Sequence, residues 1–378
     1  MARKLRMGMV GGGNGAFIGA VHRMAATLDG QIALVCGAFS SSPENSKATG
    51  KTLFLEEDRT YGSVEEMLAG EKSLPESKRM DFVSIVTPNF LHYLQAKAIL
   101  EAGFHVVCDK PITITIAEAE ELLSIAKRKN LLFCLTHNYT GYPLVKQAKY
   151  LVQTGSLGKI RKVVVEYHQG WLSSPIETSG QKQASWRTDP AKAGISCCMG
   201  DIGSHAENLL EYITGLEITS LCADLSTFVE SRTLDDDSNV LLRLSNGAKG
   251  VLFASQIASG DENELKIRVY GEKGSLEWLQ SSPNELIVKW NDKPTEIQKP
   301  GVDKAYLCEE AKNACRLPSG HPEGYIEAFA NLYKAFAATI SENKPVDFPT
   351  IEDGIRGLRF IENCVKSSKQ GSIWVKNN

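Results

Sequence analysis

The chain has 378 residues, of which 42% are hydrophobic and 23% are charged, and its formal net charge is -3. This length is too great for one ordinary hydrophobic core and suits two domains. The small net charge gives no reason to expect nucleic acid or an anionic membrane as a partner. No apolar run approaches the roughly 20 residues that a membrane-spanning helix needs. We therefore expect a cytoplasmic globular protein.

Cysteine and histidine spacing argues against a metal site. The nine cysteines form no C-x-x-C pattern, and the seven histidines form no H-x-x-x-H pattern. Cys197 and Cys198 are adjacent, which makes joint binding of one metal ion difficult. We expect free, mostly buried thiols in a reducing compartment and no bound metal.

The first ~135 residues alternate strand and helix patterns, which predicts a doubly wound parallel sheet covered by helices. The glycine at position 103 suits the C-cap of the helix before it. Strands are predicted at 5–10, 32–39, 81–86, 105–108 and 131–136. Helices are predicted at 17–28, 64–68, 91–101 and 117–129.

The pattern changes after this point, because alternating β-rich runs follow one another closely. They lie at 162–168, 218–228, 238–244, 250–256 and 265–270. They predict an α+β domain with a large, mostly antiparallel sheet. Helices are predicted at 144–152, 201–214, 325–341 and 351–367. We expect a dinucleotide-binding domain at 1–140 and a substrate-binding domain at 141–378, whose sheet joins a homodimer or homotetramer.

A glycine-rich turn follows the first predicted strand and matches G-x-G-x-x-A through Gly11, Gly13 and Ala16. The first glycine permits a tight turn, the second lets a pyrophosphate approach the backbone, and the small third residue lets helix and strand pack closely. The following helix would face the phosphates with unpaired N–H groups. This context favours a dinucleotide site that includes Asn14, although a plain tight turn is the alternative.

The end of the second predicted strand has no carboxylate that could hold the ribose hydroxyls. Ser40, Ser41 and Ser42 occupy this place, and Glu44 is the nearest acid. The missing acid removes a repulsion against a 2′-phosphate, and no arginine replaces it to select NADP. The cofactor is therefore expected to be NAD or NADP, with the choice between them open.

Three further segments occur in order along the chain and carry a family resemblance. They are Val86-Thr87-Pro88-Asn89-Phe90-Leu91-His92, Cys108-Asp109-Lys110-Pro111 and Gly200-Asp201-Ile202-Gly203-Ser204-His205. Together with the glycine turn, they resemble the Gfo/Idh/MocA family of glucose–fructose oxidoreductases and inositol dehydrogenases. The resemblance extends over nearly the whole chain.

The resemblance implies roles for the cofactor-side segments. The T-P-x-x-x-H segment of the family lines the nicotinamide, and the lysine of its E-K-P segment is catalytic. The glutamate before that lysine is Asp109 here. By position, the resemblance implies cofactor-side roles for Thr87, Pro88, His92 and Lys110. Asn89 and Asn138 are further candidate cofactor-binding residues.

The D-x-G-x-H segment of the family supplies substrate and proton-transfer groups, which implies catalytic roles for Asp201 and His205. Lys110 would hydrogen-bond the reacting hydroxyl and stabilise alkoxide character, while His205 would accept or return the proton. Asp201 precedes His205 by four residues, so a helix would place both on one face. The alternatives are a surface lysine, a helix-cap histidine and an N-cap aspartate.

Polar and aromatic residues elsewhere are candidates for a sugar pocket, since sugars stack on aromatic rings and bond polar groups. These candidates are Tyr139, His168, Trp186 and Arg187. The set lacks the arginine cluster expected for phosphate or dicarboxylate, which favours a neutral sugar, glycoside or cyclic polyol. Two Y-x-x-x-K matches, at Tyr93 and at Tyr142, are interpreted as chance.

The sequence thus predicts a hydride-transferring dehydrogenase of a secondary alcohol. Two alternatives stay open. One is a cofactor-bound sugar sensor without turnover, and the other is an enzyme that recycles a tightly held cofactor within one cycle. The pairing of Lys110 with His205 favours catalysis, because a binding protein needs no proton-transfer pair.

Overall fold

The computed structural model describes residues 3–377, and the chain forms two compact units. The first comprises residues up to 141 together with 325–355, and the second comprises 142–324 together with the residues from 356 onward. Residues 325–355 therefore belong with the N-terminal half, whereas the sequence placed them in the C-terminal domain. Within the described residues, no helix is long and apolar enough to cross a membrane.

The first unit contains a five-stranded parallel sheet in the order β2-β1-β3-β4-β5. Its strands are β1 (Leu5–Gly11), β2 (Ile32–Ala38), β3 (Phe82–Val86), β4 (His105–Cys108) and β5 (Phe133–Leu135). Its helices are α1 (Phe17–Leu28), α2 (Pro43–Thr52), α3 (Val64–Ser73), α4 (His92–Ala102) and α5 (Ile116–Lys129). The strand order reverses between β1 and β3, and ligands bind at the carboxyl ends of such strands.

The predicted parallel sheet is confirmed, and its strands are buried on both faces, which explains their unbroken apolar runs. Helix α2 was not predicted, because its sequence is polar and follows a serine turn. It begins at Pro43, and the Ser42 side chain accepts a hydrogen bond from the Asn45 backbone N–H. Helix α4 ends where predicted, with Gly103 in the left-handed conformation at φ 94°.

The second unit contains a nine-stranded sheet in the order β13-β12-β11-β10-β6-β9-β8-β7-β14. Its strands are β6 (Ile160–His168), β7 (Ile218–Ser226), β8 (Asp237–Leu244), β9 (Lys249–Ser255), β10 (Glu264–Gly271), β11 (Gly274–Leu279), β12 (Leu286–Trp290), β13 (Glu296–Gln298) and β14 (Val375–Lys376). Strands β6 and β9 pair in parallel, and the other neighbours pair in antiparallel. The predicted mostly antiparallel sheet is confirmed.

The helices of the second unit that lie before residue 325 are α6 (Pro143–Gln153), α7 (Lys182–Arg187), α8 (Pro190–Ala193), α9 (Ser204–Thr214) and α10 (Glu309–Asn313). Strand side chains alternate between buried and exposed, as in β8, so one face of the sheet belongs to the core. Strands β11 to β14 and the short helices α7, α8 and α10 were not predicted.

Helix α11 (Tyr325–Glu342) explains why the first unit includes a late segment of the chain. Its buried face carries Phe329, Tyr333 and Phe336, which pack with α1 and the sheet. The Tyr333 hydroxyl lies 2.8 Å from His22 Nδ1 and 2.8 Å from Ser84 Oγ, so this core includes a buried polar cluster. The division between the units falls within α12 (Ile351–Lys369).

Candidate active site

The glycine turn at the end of β1 has the tight geometry that the motif predicts. Gly11 has φ 82°, and a Cβ atom there would lie 2.7 Å from Thr87 Cγ2. Gly13 donates its N–H to the Phe39 carbonyl at 3.0 Å, and a Cβ at Gly13 would lie 2.8 Å from the same oxygen. The turn therefore packs closely against the strand ends on both sides.

The closest approach of α1 to the glycine turn occurs at Gly19 and not at Ala16, the small third residue of the motif. A Cβ at Gly19, in α1, would lie 2.3 Å from the Gly12 Cα atom. Ala16, the third motif position, is instead the N-cap of α1 and has an extended backbone. The Asn14 backbone N–H donates to Thr49 Oγ1 at 3.1 Å, which ties the turn to α2.

The start of α1 suits an anionic ligand. Ala16 makes no side-chain capping hydrogen bond, and the first turn of the helix carries no acidic residue. Helices α2 and α5, by contrast, are capped by Ser42 and Thr115. Unpaired N–H groups and the positive end of the helix dipole favour phosphate at such a terminus. The turn and helix therefore fit a dinucleotide pyrophosphate.

The loop after β2 offers neutral polar groups. Ser40 Oγ accepts hydrogen bonds from the Ser42 N–H at 3.2 Å and from Asn45 Nδ2 at 3.3 Å. Ser42 Oγ donates to Glu44 Oε2 at 2.8 Å, and the pKa of this exposed carboxyl is lowered, chiefly by that bond. The serine turn therefore also serves as the start of α2.

The segment after β3 is held by His92, the first residue of α4. The imidazole is buried, with Nε2 2.8 Å from the Thr87 carbonyl oxygen and Nδ1 2.7 Å from the Pro111 carbonyl oxygen. Thr87 Oγ1 donates to Gln95 Oε1 at 2.6 Å, and Pro88 precedes a short 3₁₀ turn, Asn89–Leu91. His92 thus supports the loops on either side of it.

Lys110 follows β4, at the sheet edge where ligands bind in this fold. Its backbone N–H donates to Asp109 Oδ1 at 3.0 Å, and the same oxygen accepts from Thr136 Oγ1 at 2.9 Å. The Asp109 N–H donates to the Ile85 carbonyl. The shorter acid in place of the family glutamate therefore anchors the loop that carries Lys110.

Two buried amide groups in this unit have an unmet hydrogen-bonding capacity. Asn89 Oδ1 and Asn138 Nδ2 have no hydrogen-bond partner among the described residues. Orphaned buried polar atoms are costly and mark places where a ligand or water completes the structure. Both follow parallel strands, so they fit a polar ligand at the carboxyl edge of the sheet.

The residues flanking Asn138 are also buried. Burial, together with the charge of Lys110, lowers the pKa of His137 to about 3, against a partial offset from Asp109. The Tyr139 ring packs edge-on to Tyr325, with ring centroids 6.5 Å apart. The predicted substrate contact of Tyr139 stays a prediction.

In the second unit, Asp201 lies in a π-helical turn, Met199–Gly203, that precedes α9. Its Oδ2 atom accepts hydrogen bonds from Arg187 Nε at 3.1 Å and from Gln256 Nε2 at 2.9 Å. A π turn does not follow the α-helical periodicity on which the shared face of Asp201 and His205 was predicted. The observed partners of the carboxylate come from α7 and from the end of β9.

Asp235 holds the segment that enters this π turn. Its carboxylate is buried and accepts the backbone N–H groups of Cys197 at 3.0 Å and Met199 at 2.8 Å. Burial raises the pKa of this carboxyl, although its backbone hydrogen bonds act in the opposite direction. This role of Asp235 was not predicted, because a run of three aspartates is typical of a solvated loop.

Arg187 joins the aromatic groups near Asp201. Its guanidinium carbon lies 4.2 Å from the Trp186 ring centroid and 5.9 Å from that of Trp171. Trp171 Nε1 donates to Gln169 Oε1 at 3.0 Å, which orients the indole. The structure thus brings together Trp186, Arg187 and Asp201, and adds Trp171 and Gln256, whose only sequence signal was a position near a strand end.

The two candidate histidines of this unit have different surroundings. His205 is buried, and its ring centroid lies 6.2 Å from that of Tyr167. His168 ends β6, is about one-third exposed, and has Nδ1 3.7 Å from Asp261 Oδ2. Tyr167 Oη in turn donates to Asn263 Oδ1 at 2.7 Å.

The competing Y-x-x-x-K match at Tyr93 is a surface contact. Tyr93 Oη donates to Glu121 Oε2 at 2.5 Å, and Lys97 Nζ donates to Glu121 Oε1 at 2.6 Å. The pKa of Tyr93 is raised, chiefly by the bond to Glu121. A tyrosine that acts as a base needs a lowered pKa, so this geometry favours a helix–helix contact.

Known families match both halves of the chain. Residues 5–137 match the oxidoreductase family model with an NAD-binding Rossmann fold, and residues 145–277 match the GFO/IDH/MocA C-terminal domain. The chain belongs to the GFO/IDH/MocA oxidoreductase family. The predicted resemblance and the NAD-binding Rossmann domain are confirmed.

Individual relatives match over almost their full length. An uncharacterized oxidoreductase of Bacillus subtilis, YfiI, is 36% identical, covering 100% of this chain and 98% of its own. A levoglucosan dehydrogenase of Pseudarthrobacter phenanthrenivorans is 28% identical, covering 99% and 98%. A crystal structure of an inositol dehydrogenase homolog from Azotobacter vinelandii, complexed with NAD+, is 37% identical with a TM-score of 0.94, covering 99% and 98%.

Proposed function

We propose that this oxidoreductase transfers a hydride between NAD(P) and a secondary alcohol carbon of a neutral sugar, glycoside or cyclic polyol. The observation that carries the proposal is that the glycine turn, Asn89, Lys110 and Asn138 follow the ends of β1, β3, β4 and β5 respectively. Parallel strands bring their carboxyl ends to one sheet edge, where the glycine turn and Lys110 both lie.

The residues proposed to bind the cofactor lie at or near this edge of the sheet. Gly11, Gly13 and the start of α1 would hold the pyrophosphate, and Ser40 would face the adenosine ribose. The orphaned amides of Asn89 and Asn138 would bond polar atoms near the nicotinamide. When bound, the nicotinamide ring supplies the hydride acceptor or donor.

Proton handling is assigned to Lys110 and His205. The hydroxyl proton must leave as the carbon loses its hydride, so a donor to the oxygen and a proton acceptor are both needed. Lys110 would donate a hydrogen bond to the alcohol oxygen, and His205 would take or return the proton. Asp201 would accept a hydrogen bond from a second substrate hydroxyl.

The substrate class follows from the charge around Asp201. Arg187 is already paired with the Asp201 carboxylate and stacked on Trp186, so its guanidinium is balanced within the protein. Phosphate recognition usually needs unbalanced, bidentate arginines. Indole rings and neutral amides suit sugar rings and hydroxyls. The names of the levoglucosan and inositol dehydrogenase relatives agree with a neutral, polyhydroxylated ligand.

A panel of sugars and polyols, assayed with both NAD and NADP by reduced-cofactor absorbance, tests the proposal. We expect turnover on at least one neutral compound. Activity confined to sugar phosphates would contradict the substrate class. Tight cofactor binding without turnover of any compound would favour the sensor, and turnover that needs no added cofactor would favour internal recycling.

We further propose a homo-oligomer formed through the outer face of the nine-stranded sheet. Val164, Val251, Leu241 and Cys222 lie side by side across β6, β9, β8 and β7, on the face opposite the core. Leu241 is half-exposed despite its apolar side chain, and such patches favour association. Sedimentation of wild type and Leu241→Glu tests this, with dissociation expected for the variant.

A cytoplasmic location is also proposed. The nine cysteines are all free thiols, and eight of them are buried. Unpaired cysteines are typical of reducing compartments. Fractionation of the native host, with the protein detected by antibody, tests this location.

A further inference from the structure

We infer that His92 is the positioning residue for Lys110, joining the loop after β3 to the loop after β4 through two backbone carbonyls. Nε2 lies 2.8 Å from the Thr87 oxygen and Nδ1 lies 2.7 Å from the Pro111 oxygen. The side chain is 1% exposed. Since both ring nitrogens face protein carbonyls, neither is directed at a ligand, and any effect on catalysis must pass through these loops. The inference rests on the role proposed for Lys110.

The backbone of Lys110 is held on both sides by hydrogen-bonding contacts. Pro111 directly follows Lys110, so fixing its carbonyl fixes the backbone on the C-terminal side of the lysine. Asp109 fixes the other side, through its N–H to Ile85 and its carboxylate to Thr136 and the Lys110 N–H. Without His92, the Asp109 attachments to Ile85 and Thr136 remain, whereas the contact to the Pro111 carbonyl is lost.

A planar ring with two nitrogens suits this bridge. A neutral imidazole donates to one carbonyl at a time, and an imidazolium donates to both. Burial lowers the pKa of His92, and the charge of Lys110 acts in the same direction, while Asp109 and the two carbonyls oppose them. The neutral tautomer that holds the Lys110 loop is the one with its proton on Nδ1, which donates to the Pro111 carbonyl, and only the imidazolium donates to both loops at once.

The rival explanation is that His92 only fills space in the core. Three variants of the full-length chain separate these explanations. His92→Phe keeps a planar ring without donors, and His92→Gln keeps two N–H donors on one nitrogen. His22→Phe is the matched control, because His22 is equally buried in the same unit but lies beside Tyr333 and Ser84.

The first readout is kinetic, on whichever substrate the panel identifies. His92→Phe should lower kcat by roughly 10-fold to 100-fold, because a misplacement near 1 Å has effects of that size. KM for the cofactor should change much less, and His92→Gln should recover part of the loss. Should His92→Phe not fold, His92→Met serves as the variant without donors. Equal kcat in wild type and the donor-free variant would overturn the inference.

The second readout needs no turnover, so it separates this inference from the proposed function. Reductive methylation with carbon-13 formaldehyde labels the lysines, and Lys110→Arg identifies the Lys110 resonance. We expect that resonance to shift in His92→Phe and to stay near its wild-type position in His22→Phe. An unchanged Lys110 resonance in the donor-free variant would show that His92 does not position Lys110, whether or not the chain oxidises sugars.

Discussion

The two units position their proposed ligand-binding groups in different ways. In the first unit, each group lies within a few residues of the end of β1, β2, β3, β4 or β5, and the parallel topology brings these ends to one edge. In the second unit, the partners of Asp201 lie 14 and 55 residues away along the chain, at Arg187 and Gln256. The first arrangement is encoded by short motifs, whereas the second depends on long-range side-chain contacts.

Two sets of buried titratable groups, one from each unit, have different surroundings. The first unit buries neutral imidazoles, such as His22 and His137, whose pKa values are lowered to about 4 and about 3. The set from the second unit is a buried ion cluster. Arg232 lies between Glu177 and Asp236, and its guanidinium also donates to the Leu172 and Ser174 carbonyls. The comparison therefore predicts different sensitivities to mutation and to pH.

The largest effect is expected from breaking the buried ion cluster of the second unit. Arg232→Ala leaves the Glu177 and Asp236 carboxylates without their cation and should lower the free energy of unfolding by about 3–5 kcal/mol. Urea denaturation followed by circular dichroism measures this. The control is Arg161→Ala, whose pair with Glu272 is exposed and should contribute less than about 1 kcal/mol. Similar losses of unfolding free energy in Arg232→Ala and Arg161→Ala would contradict the expected difference between the buried and the exposed ion pairs.

The buried histidines of the first unit predict a loss of stability in acid. The folded-state pKa of His22 is about 4 because of burial, against 6.5 in the unfolded chain, so the unfolded state binds more protons between these values. Stability should fall as the pH drops from 6.5 to 4, by up to about 3 kcal/mol from this residue. Urea denaturation across this range should show a shallower dependence for His22→Gln. The same pH dependence of stability in wild type and His22→Gln would show that His22 is not the source of the acid sensitivity.

The proton-handling roles proposed for Lys110 and His205 predict coupled losses of activity. Lys110→Ala and His205→Ala should each lower kcat by roughly 10²-fold or more. The double variant should lose less than the product of the two effects, since both groups act on one proton transfer. Cofactor binding should survive in His205→Ala, as measured by calorimetry. Near wild-type turnover in both single variants would disprove the assignment.

The smallest effect concerns cofactor choice at the end of β2. Neutral hydrogen bonds from the serine hydroxyls contribute about 0.5–1.5 kcal/mol each, and no adjacent guanidinium favours a 2′-phosphate. We expect the kcat/KM values for NAD and NADP to differ by less than about 100-fold, equivalent to about 2.7 kcal/mol. Ser40→Asp should shift the ratio toward NAD by repelling the phosphate. Steady-state kinetics on wild type and Ser40→Asp measure this ratio. If the variant still used NADP as well as NAD, the ribose would be recognised by residues elsewhere.

Much of the first unit could be predicted because its signals are local. Buried parallel strands appear as continuous apolar runs, and each strand end carries its own turn residues. Polar α2 lacks such a run and was missed. The Gly12–Gly19 contact was also missed, because the glycine motif does not specify which later residue in α1 approaches the turn.

The sequence by itself determined the alternation of strands and helices, the glycine turn, the position of Lys110 after a strand and the family of the chain. These depend on local periodicity and on motifs a few residues long. The tertiary structure decided the bridge by His92, the π turn at Asp201, the burial of Asp235 and the membership of α11 in the first unit. The physical reason is that burial and hydrogen-bond partners are set by residues distant in sequence, which local patterns do not contain.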